Sequence, residues 1–177
     1  LGNAGDIVIT SPRLEMTGGA RINTTTATSG LGGSVAINTT DLVSMSGETG
    51  GFAPEPLFSL GSLQPSGIFT LTIGGNCSGP CGNAGNVSLS TGSLTMGSGA
   101  QINSGTSSTG HGGNITVNAQ DTISIAGTLS NGQPAGMLSR TIGGAPDSGQ
   151  GGNISLTAGQ SVSLSNGAAI SASSTGP

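Results

Sequence analysis

Apolar residues in this chain come in pairs two positions apart, and the pairs recur at a fixed place after a glycine. Ile7/Ile9, Val35/Ile37, Val87/Leu89, Ile115/Val117 and Ile154/Leu156 follow Gly5, Gly33, Gly85, Gly113 and Gly152. A second set lies a few residues further on: Leu14/Met16, Val43/Met45, Leu94/Met96, Ile123/Ile125 and Val162/Leu164. A third places Ile22, Ile68, Ile102, Met137 and Ile170 in one column, with Thr24, Thr70, Ser104, Ser139 and Ala172 in the next inward column. Alternate side chains of an extended strand share a face, so each pair marks one buried side of a short strand. The pattern predicts an all-β chain that winds as a parallel β-helix, about five coils of three short strands, like residues stacking about 4.8 Å apart.

The coils begin near residues 5, 33, 85, 113 and 152 of a single 177-residue unit, with insertions near 48–64 and 74–84 in alternate coils. Each buried aliphatic contributes roughly 1.5 to 3 kcal/mol. A lone coil cannot offset the ordering entropy of a glycine-rich chain, and stacked coils can. Gly18-Gly19, Asn131-Gly132 and Asn166-Gly167 supply the positive φ that corners need. Asp6, Ser34, Asn86, Asn114 and Asn153 occupy one place at the start of the first strand, where short polar side chains bond backbone and build a ladder.

The repeats carry a resemblance. Gly2-Asn3-Ala4-Gly5-Asp6-Ile7 returns as Gly82-Asn83-Ala84-Gly85-Asn86-Val87, followed by Leu94-Thr95-Met96 through Ile102 and then His111-Gly112-Gly113-Asn114-Ile115. These segments resemble the repeats of filamentous haemagglutinin-type exoproteins, large secreted proteins of cyanobacteria and other environmental bacteria. The resemblance covers nearly the whole chain outside the insertions. It implies a right-handed β-helix, export by a partner transporter, and adhesive or matrix roles at the cell surface. The family's amino-terminal secretion domain is not among these residues.

Composition narrows the functions. Charged residues make up 6% of the chain, with three Arg, no Lys, one His and a formal charge of −4. Phosphate neutralisation needs clustered Lys and Arg, so nucleic acid is not an expected partner, nor is an anionic membrane surface. No apolar run approaches the roughly 20 residues of a spanning helix. The chain starts without Met, which fits a mature product or an internal piece. Cys77 and Cys81 stand in a glycine-rich turn with no second pair of ligands nearby, so a short-loop disulfide of an exported protein is preferred over free thiols.

Chemically active groups are sparse. Asp41 and Asp121 are repeat equivalents, but each sits at the corner before a second strand, where Asp is an ordinary turn residue. With one His, no Lys and no Tyr, the means for proton transfer or oxyanion stabilisation are too few, and the expectation is a non-enzyme without metal or cofactor. His111 falls in a corner equivalent to Leu31 and Gln150 that tolerates any side chain. The first insertion is apolar, with Phe52, Leu57, Phe58 and Leu60, while Phe69, Leu71 and Leu138 take outward positions on third strands. Either the loop folds over this strip as a satellite core, or these residues contact another chain or a ligand.

The expected function is a structural segment of an extracellular fibre or adhesin shaft, its uncapped coils stacking on copies of itself or on adjoining coils of a longer chain. The alternative is an adhesin module that binds a surface glycan or protein receptor through the Phe-rich insertion. A polysaccharide-cleaving enzyme ranks below both.

Overall fold

The computed structural model describes residues 2–27, 29–50, 63–73, 81–107, 109–142 and 149–175. Within them the chain is all-β, without helix. The strands are β1 (Ile7–Thr17), β2 (Arg21–Asn23), β3 (Val35–Ser46), β4 (Glu48–Gly50), β5 (Leu63–Pro65), β6 (Gly67–Phe69), β7 (Val87–Thr91) and β8 (Ser93–Gly97). They continue as β9 (Gln101–Asn103), β10 (Ile115–Ala119), β11 (Thr122–Ala126), β12 (Gly136–Ile142), β13 (Ile154–Ala158), β14 (Ser161–Ser165) and β15 (Ala169–Thr175).

Period-two alternation with β-branched residues makes these segments strands, and their repetition makes the sheets parallel. One sheet has eight strands in the order β13-β10-β7-β3-β8-β11-β14, with β1 also paired to β3. A second has five, β15-β12-β9-β6-β2, and β4 and β5 form a separate antiparallel pair. The eight-stranded sheet divides at β3, whose first half pairs with β7 and whose second half pairs with β8. Its two arms end at β13 and β14, consecutive strands that touch.

This arrangement differs from three short strands in every repeat. The first and second strands of the first two repeats are continuous, as β1 and β3, 11 and 12 residues long. Their pairing shifts register between Ser11 and Arg13, opposite Thr39 and Leu42, so β3 turns the corner with a bulge rather than a break. Thr39 and Thr40 suit extended backbone there. In the third repeat Gly92 stands at the corner, where an added Cβ would lie 2.3 Å from the Asp41 carbonyl oxygen, and the strand splits into β7 and β8.

The register aligns the apolar columns. Ile7, Val35, Val87, Ile115 and Ile154 pair in succession through the first, and Ile22, Ile68, Ile102, Met137 and Ile170 through the five-stranded sheet. Leu14, Val43, Leu94, Ile123 and Val162 form another. The core lies between the two sheets, with Ile37, Met45, Ile68, Leu89, Met96, Ile102, Ile125 and Met137 all buried.

Beside it runs a column of buried hydroxyls that satisfies the corner backbone. Thr24 Oγ1 donates to Gly33 O at 2.6 Å, Thr70 Oγ1 to Gly85 O at 2.8 Å and Ser139 Oγ to Gly113 O at 2.8 Å. An unmet carbonyl at this depth would cost about 1–3 kcal/mol, so the polar column is as necessary as the aliphatic ones. The glycine corners behave as expected: Gly18, Gly19, Gly132, Asn166 and Gly167 all have positive φ.

Candidate functional site

The last strand layer exposes the residues that its predecessors bury. Ile123, Ile125 and Met137 are 0% exposed, whereas Val162, Leu164 and Ile170, their register partners one layer on, are 44%, 44% and 37% exposed. At the other end Ile7, Ile9, Leu14 and Ile22 are only partly buried. Both outer layers are therefore core-class surface.

Two polar ladders run across the layers on the outside of the glycine corner. In one, Asp6 Oδ1 accepts from Ser34 N at 2.7 Å, Ser34 Oγ from Asn86 N at 3.2 Å, and Asn86 Oδ1 from Asn114 N at 2.8 Å. Asn114 Oδ1 then accepts from Asn153 N at 2.8 Å. This is the ladder that the repeated short polar residues predict. In the other, Asn3 Oδ1 accepts from Leu31 N, Asn83 Oδ1 from His111 N and His111 Nδ1 from Gln150 N, each at 2.9 Å. The expectation that His111 occupies an indifferent corner is corrected: it is exposed, but its ring holds the next layer's backbone.

Between the ladders the chain is glycine because the layers come too close for a side chain. A Cβ on Gly33 would lie 2.1 Å from Gly5 O, on Gly85 1.9 Å from Gly33 O, on Gly113 2.0 Å from Gly85 O and on Gly152 2.3 Å from Gly113 O. These four clashes are with the preceding layer, whereas a Cβ on Gly32 or Gly112 would meet the following one, 2.7 Å from Gly85 N and 2.9 Å from Gly152 N. A Cβ on Gly5, in the first layer, would meet nothing within 4 Å among the described residues.

The anticipated contact residues fare differently. Phe52, Leu57, Phe58, Leu60 and Cys77 lie outside the described residues. Phe69, Leu71 and Leu138 are buried yet stand apart from the main core, so the expected outward apolar strip is covered and is not open surface. The Arg21 guanidinium lies 4.1 Å from the centre of the Phe69 ring, and Arg21 Nη1 also bonds Gln64 Oε1. Cys81 is disulfide-bonded. Asp41 accepts from Thr40 Oγ1 at 2.7 Å and Asp121 from Gln160 Nε2 at 3.0 Å, both at exposed corners. Among the described residues no three His, Cys, Asp or Glu side chains gather in a metal-binding group.

One column escaped the sequence reading. Thr26, Thr72, Thr106 and Thr141 bridge in succession and are buried, with Thr72 Oγ1 donating to Asn83 O at 2.9 Å and Thr141 Oγ1 to Gln150 O at 2.9 Å. Thr at matching distances after Ile22, Ile68, Ile102 and Met137 is the signal that reveals it.

No family model matches this chain, and comparison with the curated proteins and with solved structures finds no match.

Proposed function

We propose that this chain is a shaft segment of an extracellular bacterial fibre or adhesin, folded as a right-handed parallel β-helix of about five coils whose outer coils are covered by further coils. Those belong to the same longer polypeptide or to another copy. The observation that carries the reading is the change in burial along single columns: Val162, Leu164 and Ile170 are exposed in columns whose inner members are closed to water. Covering them recovers about 25 cal/mol for each Å² of apolar surface removed from solvent. The free N–H and C=O groups of β13, β14 and β15 gain partners at the same time.

The ladders support the same reading, since Asn153 Oδ1 is placed to accept the backbone N–H of one more layer as Asn114 Oδ1 does for Asn153. The resemblance to filamentous haemagglutinin-type repeats accords with secretion and a role without catalysis. Receptor recognition through Phe52, Leu57, Phe58 and Leu60 remains the alternative, and no observation favours it over the shaft.

Electron microscopy of the protein from its native source tests the proposal. Rods longer than the stack of layers in this chain are expected. Short, discrete particles with both outer layers open to solvent would overturn it.

A further inference from the structure

The two ladders enclose a trough of about 340 Å³, walled by Asn83, His111 and Gln150 on one side and by Asn86, Asn114 and Asn153 on the other. Its floor is the narrow strip formed by Ala84, Gly112, Gly113, Gly151 and Gly152. No Asp, Glu, Lys or Arg side chain lines it, and no Phe, Tyr or Trp.

The walls present hydrogen-bond donors at a regular pitch. Asn83, Asn86 and Asn114 each commit the carboxamide oxygen to the backbone N–H of the next layer, which orients the amide and leaves its Nδ2 hydrogens to a ligand. His111 accepts at Nδ1 from Gln150 N, which places its proton on Nε2 as another donor. These groups are already held in place by the ladders, so a ligand meets them without the usual cost of immobilising side chains. Successive donors in each wall stand one strand spacing apart, about 4.8 Å.

We propose that this trough binds an extended, uncharged, β-linked glycan chain lying along the stacking direction. The pitch is close to the rise of one pyranose ring in such a chain, so each layer meets one sugar. Hydroxyl groups project from both edges of the ring and accept from both walls. An extended peptide fits less well, because its edges alternate N–H with C=O and would set donors against donors. With no aromatic platform beneath the sugar, affinity comes from edge bonds repeated layer by layer, and it rises with ligand length. The inference does not depend on the shaft reading, since the trough lies wholly on the side of the described layers.

The ladder itself supplies a substitution that spares the fold. Ser34 already holds a ladder position, its short hydroxyl accepting from Asn86 N. Asn86→Ser with Asn114→Ser therefore keeps the acceptors for the next layer and withdraws the amide donors from the trough. The test is a titration of the isotope-labelled full chain with cello-oligosaccharides from disaccharide to hexasaccharide, followed by backbone and side-chain amide NMR signals.

The expected result is shifts confined to Asn83, Asn86, His111, Asn114 and their neighbours, tighter binding with the longer sugars, and a loss of about tenfold in affinity in the double variant with only a small drop in melting temperature. Absence of shifts with every oligosaccharide overturns the proposal. So does binding that the double variant leaves intact, or shifts caused by an extended peptide of equal length and not by the sugars.

Discussion

The fourth and fifth strand layers carry nearly the same side chains in the same register and have opposite relations to water. Ile123, Ile125 and Met137 are sealed; Val162, Leu164 and Ile170, directly paired to them, are not. Sequence places a residue in its column, but only a neighbour on each side makes that column a core. Burial in this molecule is therefore a property of the stack and not of the individual strand, as expected of a repeat architecture.

Truncating matched positions in the two layers should break the symmetry of the comparison most sharply. Ile125→Ala leaves a cavity between two layers and is expected to cost about 2–5 kcal/mol, whereas Leu164→Ala, half open already, should cost about 1 kcal/mol. Chemical denaturation of both variants checks this, and equal losses would mean that the fifth layer is covered in solution.

Glycine corners give the next largest contrast. Gly113→Ala forces a Cβ to 2.0 Å from Gly85 O and 2.3 Å from Ser104 Oγ, and because the nearer neighbour is backbone it should cost about 3 kcal/mol. Gly5→Ala meets nothing among the described residues and should leave the melting temperature unchanged. In rods built from copies, however, the same methyl group would strike the layer in front. Micrographs of that variant should then show shortened particles.

The buried hydroxyl of Ser139 both donates to Gly113 O and accepts from Gly152 N, each at 2.8 Å. Ser139→Ala leaves both groups unmet and should cost about 2 kcal/mol. The exposed ladder is worth less: Asn114→Ala should cost about 1 kcal/mol, and Asn114→Ser a fraction of that, read from denaturant midpoints. A larger loss for Asn114→Ala than for Ser139→Ala would reverse the assignment of which column holds the layers together.

Much of this order is legible in the sequence because strand alternation and glycine recurrence reinforce each other. The aliphatic columns follow from residues two apart, and the ladder through Asn86, Asn114 and Asn153 from one polar position after each glycine. Other features leave a weaker trace. The Thr26 to Thr141 column sits in a stretch rich in Ser, Thr and Gly, where polar residues on both faces remove the contrast that marks an inside. Whether a corner bends or breaks depends on backbone contact with the layer before it, as Gly92 against Asp41 shows, and no local pattern encodes that distance. The burial of Phe69, Leu71 and Leu138 is of the same kind, because alternation gives a side chain's direction and says nothing of what lies above it.

The forward-leaning corner glycines give the molecule a grain. At Gly33, Gly85, Gly113 and Gly152 each layer acts as a mould for the one that follows, so a bulky change there is rejected first by the older neighbour. Any lengthening of the protein by duplication would therefore have to copy whole layers with these glycines in place.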